Sequence, residues 1–201
     1  MMKRNNFPFS AVLGLNHAKT AILIVLVNPR AGGLLISGPR GIGKSTLMRS
    51  TQELIERPWR DIPVSVTEDR LFGTIDTEKA IYSGQKKLYP GIINEADQGV
   101  LYLDDANLLR EDLLDFILNI AEVGAYQLER DGLSLRCDTS FTVIAAINPE
   151  SGMLSGACLD QFGLFVNVDN IHDENTRVEI LKRTISFEKD CASFCKLWKL
   201  E

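Results

Sequence analysis

The chain has 201 residues, 45% of them hydrophobic and 24% charged, which is enough to build one sizeable buried core. Its net charge of −5 and pI near 5.2 argue against a bulk binder of nucleic acid or of a membrane surface. No apolar run reaches bilayer length, the longest being residues 21–27, and Phe7-Pro8-Phe9 stands where a signal peptide would carry its apolar segment. The chain reads as cytoplasmic, with no membrane and no nucleic acid among its expected partners.

Ser10 opens a loop to Val12-Leu13-Gly14. From Asn16, taken as the N-cap, helical spacing runs to Val27, with Ala18, Ala21, Ile22, Val25 and Leu26 on one face. Asn28-Pro29-Arg30-Ala31-Gly32-Gly33 stops it and delivers the chain to an apolar strand at residues 34–37. A glycine-rich loop follows, then a helix from Lys44 to about Glu56, ended before Pro58. Ile62-Pro63-Val64-Ser65-Val66 is β-prone and gives the expected second strand, with its proline at the start or on an edge.

Residues 67–98 are polar, with short helical patterns at 76–82 and 90–96. Val100 to Leu103 is a continuous apolar strand closing on Asp104-Asp105. Helical periodicity returns from Glu111 to Val123, with Leu114, Ile117, Leu118 and Ala121 on one stripe. The segment Tyr126 to Arg136 has two arms meeting at Asp131-Gly132, a hairpin signal. Thr142 to Ile147 is another buried strand, ending at Asn148-Pro149, and Leu164 to Val168 gives a fifth. Asp173 to Phe187 is helical by pattern, and the tail from Lys189 is a short helix. Cys191 and Cys195 share a helix face with no histidine nearby and read as free thiols; side chains alone build no metal site.

Apolar strands alternating with helices indicate an α/β fold, a parallel sheet covered on both faces. In such sheets ligands sit beyond the carboxyl ends of the strands. Three polar elements follow directly after apolar strands: the glycine-rich loop, Asp104-Asp105 and Asn148. The loop reads Gly38-Pro39-Arg40-Gly41-Ile42-Gly43-Lys44-Ser45, the pattern Gly, four residues, Gly-Lys-Ser/Thr between a strand and a helix. The segment from Gly38 to Thr46 is expected to cradle a nucleotide's phosphates with its available backbone N–H groups, helped by the helix start. Lys44 would reach the β- and γ-phosphates, and Ser45 would ligate Mg²⁺. Asp104 is expected to hold Mg²⁺ through its water shell, Asp105 to polarise the attacking water, and Asn148 to orient that water or touch the γ-phosphate. A regulatory GTPase needs an Asn-Lys-x-Asp segment after a strand; the chain contains none, so ATP is the expected nucleotide.

Several blocks resemble the ATPase (I) subunit of magnesium chelatase, an AAA+ protein. They are Phe7 to Gly14, Asn28 to Gly33, the phosphate loop, Thr67 to Asp76, Pro90-Gly91, Val100 to Leu109, Asn148-Pro149-Glu150, Leu159 to Leu164 and Arg177-Val178-Glu179. The resemblance implies an AAA+ P-loop NTPase core over residues 1–188, with sheet order 5-1-4-3-2 and ATP bound between subunits of a homo-oligomeric ring, usually a hexamer. It implies that Val12 and Gly14 line the adenine. It also implies an insert in the second helix from Gly73 to about Pro90 and a hairpin before the sensor strand. The family's motor works with a partner subunit carrying an integrin-like metal-binding domain. Relatives of the MoxR type act as remodelling chaperones that mature metalloenzymes.

Three departures from the family pattern stand out. Asp105 stands where the family has glutamate, withdrawing the carboxylate by about 1 Å, and a misplacement of that size costs on the order of a hundredfold. Gln161 stands where the family has an arginine that reaches a neighbour's ATP, leaving Arg177 and Arg183 as other available cations. Residues 189–201 read as the start of a linker toward the family's helical lid, which is not in the sequence. The expectation is ATP binding with slow hydrolysis by the chain alone.

Overall fold

The fold is described from a computed structural model, which covers residues 6–75, 88–130 and 133–198. Five parallel strands form the central sheet: β1 (Leu34–Ser37), β2 (Trp59–Ile62), β5 (Val100–Leu103), β8 (Thr142–Ile147) and β9 (Leu164–Asn167). Their order is β2-β5-β8-β1-β9, which counted along the sheet's own strands is 5-1-4-3-2, as the resemblance implied. β1, β5 and β8 are buried along their whole length, which explains their unbroken apolar sequence. Strand alternation divides the side chains between two cores. Leu34, Ile36, Val100, Tyr102, Ile144 and Ala146 face helices α1 (Asn16–Val27) and α2 (Lys44–Thr51). Leu35, Leu101, Leu103, Val143, Ala145 and Ile147 face the other layer, chiefly α5 (Glu111–Val123).

The α5 helix matches its sequence pattern from end to end, with Leu113, Leu114, Ile117, Leu118 and Ile120 buried and Gly124 closing it in the left-handed conformation. α1 buries Ala18, Ala21, Ile22 and Val25 as its spacing indicates. Its cap differs: Leu15, with φ 54, precedes the helix, and Asn16 is already its first residue. α2 is shorter than its pattern, giving way at Gln52–Leu54 to a tighter turn. β2 is also displaced. It occupies Trp59–Ile62 rather than residues 62–66, in register with β5 from Trp59 opposite Val100 to Ile62 opposite Leu103. Pro63 ends this edge strand, because it has no N–H to offer a ladder.

Between β2 and β5 lie α3 (Glu68–Phe72), a short antiparallel pair β3 (Gly73–Ile75) and β4 (Leu88–Pro90), and α4 (Ile92–Glu95). The expected helix at 76–82 falls outside the described residues. The hairpin is β6 (Ala125–Arg130) with β7 (Leu133–Asp138), paired so that Arg130 stands opposite Leu133; its Asp131-Gly132 turn is outside the described residues. The two projecting pairs touch. Tyr126 Oη lies 2.8 Å from the Phe72 carbonyl oxygen and 2.6 Å from Asn94 Oδ1.

After α6 (Gly156–Asp160) and β9, the chain ends in α7 (Glu174–Lys189), capped by Asp173, and α8 (Cys191–Trp198). Phe7, Phe187, Phe194 and Trp198 form a chain of ring contacts with centroids 5.2 to 6.1 Å apart, fastening the N-terminal segment to these last helices. Among the described residues, no helix is long and apolar enough to cross a membrane.

Gly163 sits where β9 begins, against the backbone of Ala31 and Gly32, and donates to the Gly32 carbonyl at 2.8 Å. A Cβ there would overlap the Ala31 carbonyl oxygen, and neither backbone can yield without breaking the β1–β9 pairing. Gly163→Ala is therefore expected to destabilise the chain by more than about 3 kcal/mol in urea unfolding. Gly156→Ala, which meets open space at the start of α6, should stay within about 1 kcal/mol of the parent.

Candidate functional site

Because β1, β5 and β8 are parallel, their carboxyl ends open on one rim of the sheet. The loop from Gly38 leaves β1 there and turns into α2 at Gly43, whose φ of 92 suits a residue without Cβ. Lys44 is buried and donates from Nζ to the carbonyls of Gly38 at 2.6 Å and Pro39 at 2.8 Å. Burial pulls its pKa down, opposed by the charges of Asp105 and Asp104. A phosphate would offer this ammonium a stronger, charged acceptor than the two carbonyls.

Ser45 donates from Oγ to Asp104 Oδ1 at 3.2 Å. Asp105 follows with φ 51, a conformation aspartate tolerates, and its carboxylate lies 3.9 Å from Arg40 Nη2. Lys44, Ser45, Arg40, Asp104 and Asp105, read from two distant segments, are thus brought together. Asn148 comes to the same rim, one residue past the Ile147 carbonyl that accepts from Gly38 N–H at 3.2 Å. Its amide is engaged locally: Oδ1 accepts from Glu150 N–H and Nδ2 donates to Ser151 Oγ, both at 3.2 Å.

Two further residues of this rim carry no signal in the sequence. Tyr102, two places before Asp104, is buried with its hydroxyl unpartnered. Burial first, and the nearby Asp104 charge second, push its pKa well up. Asn107 donates to the carbonyls of Asn148 at 3.1 Å and Gly152 at 3.0 Å, tying the turn after β5 to the turn after β8. An apolar strand containing a tyrosine looks like core, so only the fold separates Tyr102 from its neighbours.

Ser45 and Asp104 are hard oxygen donors, and the orphaned Tyr102 hydroxyl stands beside them. That set fits Mg²⁺ shared with phosphate oxygens. It does not fit an all-protein cage, and no group of three or more His, Cys, Asp or Glu able to hold a metal occurs among the described residues.

Next to the loop lies a cavity of about 870 Å³, within the range of small-molecule sites. Gly41, Ile42, Gly43 and Thr46 line it on one side, Ala11 to Leu13 on another, and Ile171, Arg177 and Phe187 on a third. Val12 is thus on its wall, while Gly14 backs onto Ile171. Lys19 Nζ donates to the Val12 carbonyl, and Arg183 Nη1 donates to the Ala11 carbonyl at 3.0 Å. Arg183 also pairs with Glu179 at 3.0 Å and lies 4.2 Å from the centre of the Trp198 ring, so it is committed within the chain. Gln161 is elsewhere. It borders a second cavity, of about 540 Å³, with Arg30, Glu122 and Asp160 near the amino ends of the strands, and its Nε2 donates to the Ala157 carbonyl at 3.4 Å.

A parallel sheet of this order, with a Gly-Lys-Ser loop after one central strand and an aspartate after another, defines an AAA+ P-loop NTPase core. The domain family described as "AAA domain (dynein-related subfamily)" matches residues 33–161. The chain is 36% identical to the magnesium-chelatase 38 kDa subunit of Cereibacter sphaeroides, over 97% of its own length and 68% of that protein's. It is 33% identical to magnesium-chelatase subunit ChlI of Cyanophora paradoxa, over 100% of its length and 70% of the relative's. A solved complex between subunits BchI and BchD of magnesium chelatase superposes with a TM-score of 0.77 at 36% identity, covering 98% of this chain and 71% of that one. The chain belongs to the magnesium-chelatase ATPase-subunit family, and spans about two thirds of the length of these relatives.

The Arg183 contacts make the N-terminal wall of the cavity depend on α7. Arg183→Ala removes a charged hydrogen bond and a cation–π contact, together about 2 kcal/mol. Chemical denaturation should register that loss, and Arg183→Lys should recover less than half of it, since an ammonium cannot hold Ala11, Glu179 and the Trp198 ring together.

Proposed function

We propose that the chain binds Mg-ATP on the rim formed by β1, β5 and β8 and serves as the ATP-driven subunit of a metal-chelation assembly. The observation that carries this reading is the contact of Ser45 with Asp104, beside a lysine held on the loop by carbonyls that a phosphate can replace. In this reading the loop from Gly38 to Thr46, through the N–H groups from Arg40 onward, and the Lys44 ammonium bind the β- and γ-phosphates. Ser45 and Asp104 hold Mg²⁺, which supplies charge neutralisation at those phosphates. Val12 and Gly14 take the adenine, Asp105 polarises the attacking water, and Asn148 turns its amide from Glu150 and Ser151 toward the γ-phosphate. Family membership supports a homo-oligomeric ring, a hexamer, working with a partner subunit that carries an integrin-like metal-binding domain. The solved relative is a complex of two different chelatase subunits, BchI and BchD.

A second reading, a weakly hydrolysing regulatory subunit of the ring, is favoured by Asp105 and Gln161. Asp105 is one methylene short and faces Arg40 across 3.9 Å. Gln161 lies beyond reach of its own phosphate loop, near the amino ends of the strands, and an amide offers no charge to a neighbour's transition state. An arginine in that role is worth roughly 10³ to 10⁵ in rate.

Lys44→Ala should lower ATP affinity by on the order of a hundredfold in calorimetry; unchanged affinity would place the nucleotide elsewhere. Steady-state ATPase of the assembled ring, with and without the chelatase partner, separates motor from regulatory subunit. Gln161→Arg should raise that turnover at least about tenfold, and no increase would mean that Gln161 does not limit it.

A further inference from the structure

Tyr102 leaves β5 two residues before Asp104, hence on the same face of the sheet as that carboxylate. It is only 2% exposed, and its ring packs against Trp59 of β2, with centroids 5.9 Å apart. The ring is therefore fixed from the edge strand, on the side of the sheet that α2 covers and where its Ser45 meets Asp104. Yet the hydroxyl makes no hydrogen bond of acceptable geometry. A buried donor left without a partner is costly, and phenylalanine would fill the same space without that cost. A tyrosine here makes sense if the rim has a state in which the hydroxyl is used.

Ser45 has one proton and currently spends it on Asp104 Oδ1. With Mg-ATP bound, Ser45 would offer its lone pairs to the cation, and the carboxylate would need a single orientation. A second donor from below supplies that. We propose that Tyr102 is a positioning residue for Mg²⁺, its hydroxyl donating to the Asp104 carboxylate and fixing that group's plane for the cation's water shell. The inference rests on the Mg-ATP reading of this site. Groups that orient a metal's own ligands commonly contribute ten- to a hundredfold, about, to metal affinity.

The test is Tyr102→Phe in the full chain, which removes one oxygen atom. Fluorescence of mant-ATP is followed in EDTA and then during titration with MgCl₂, alongside thermal unfolding of the nucleotide-free protein. The expected result is unchanged mant-ATP affinity in EDTA, an unchanged or higher Tm, and an Mg²⁺ midpoint raised about tenfold. In an Asp104→Asn background the same substitution should add nothing, because the carboxylate it acts through is gone. A Tyr102→Phe midpoint within about twofold of the parent overturns the inference and leaves Tyr102 as core filling. So does a fall in Tm with equal weakening of binding in EDTA, which marks a packing role. A parent whose mant-ATP affinity ignores Mg²⁺ altogether would overturn the Mg-ATP reading, and this inference with it.

Discussion

The contact between Ser45 and Asp104 depends on a sheet in which the strands carrying them are not neighbours. β8 lies between β1 and β5, so the two side chains meet over its end, across two strand spacings of about 4.8 Å each. β1 runs on to Ile147 of β8 whereas β5 stops opposite Ala145, so the bridge needs the loop after β1 to lean over the end of the middle strand. The Gly38 N–H bond to the Ile147 carbonyl supplies the lean. Both cores hold the three strands in register, and the tight approach of Gly163 to Ala31 and Gly32 sets β9 beside β1. Much of the molecule's burial thus serves to keep a few oxygen and nitrogen atoms within hydrogen-bond reach.

Legibility in the sequence followed the physics of burial. β1, β5 and β8 are enclosed on both faces and read as unbroken apolar runs, and α5 carries a helical stripe because one face alone is wet. β2 was misplaced because its position comes from backbone pairing with a single neighbour: Trp59, Arg60 and Asp61 are not core residues, and the more apolar Val64 downstream is exposed. The shift of the α1 cap from Asn16 to Leu15 has a similar origin, since Gly14 and Leu15 both take left-handed φ and start the helix one residue early. α3 and the β3–β4 pair have only a few residues each, too few for a period to register.

The same contrast runs through the site. Lys44, Ser45 and Asp104 announce themselves by following apolar strands, and their convergence follows from the topology of a parallel sheet. Tyr102 and Asn107 take their places from tertiary packing, and no local pattern marks them; Arg183 is legible as a cation, but its engagement with Ala11, Glu179 and Trp198 is not. Asn148 is an intermediate case: its place at the rim was legible, but the engagement of its amide by Glu150 and Ser151 depends on the turn after Pro149.

The meeting of Tyr126 with the Phe72 carbonyl and Asn94 bears on how the two projecting antiparallel pairs behave. Here one phenol pins the foot of the hairpin to the foot of the insert. The two feet therefore share one contact, and neither can shift without straining it.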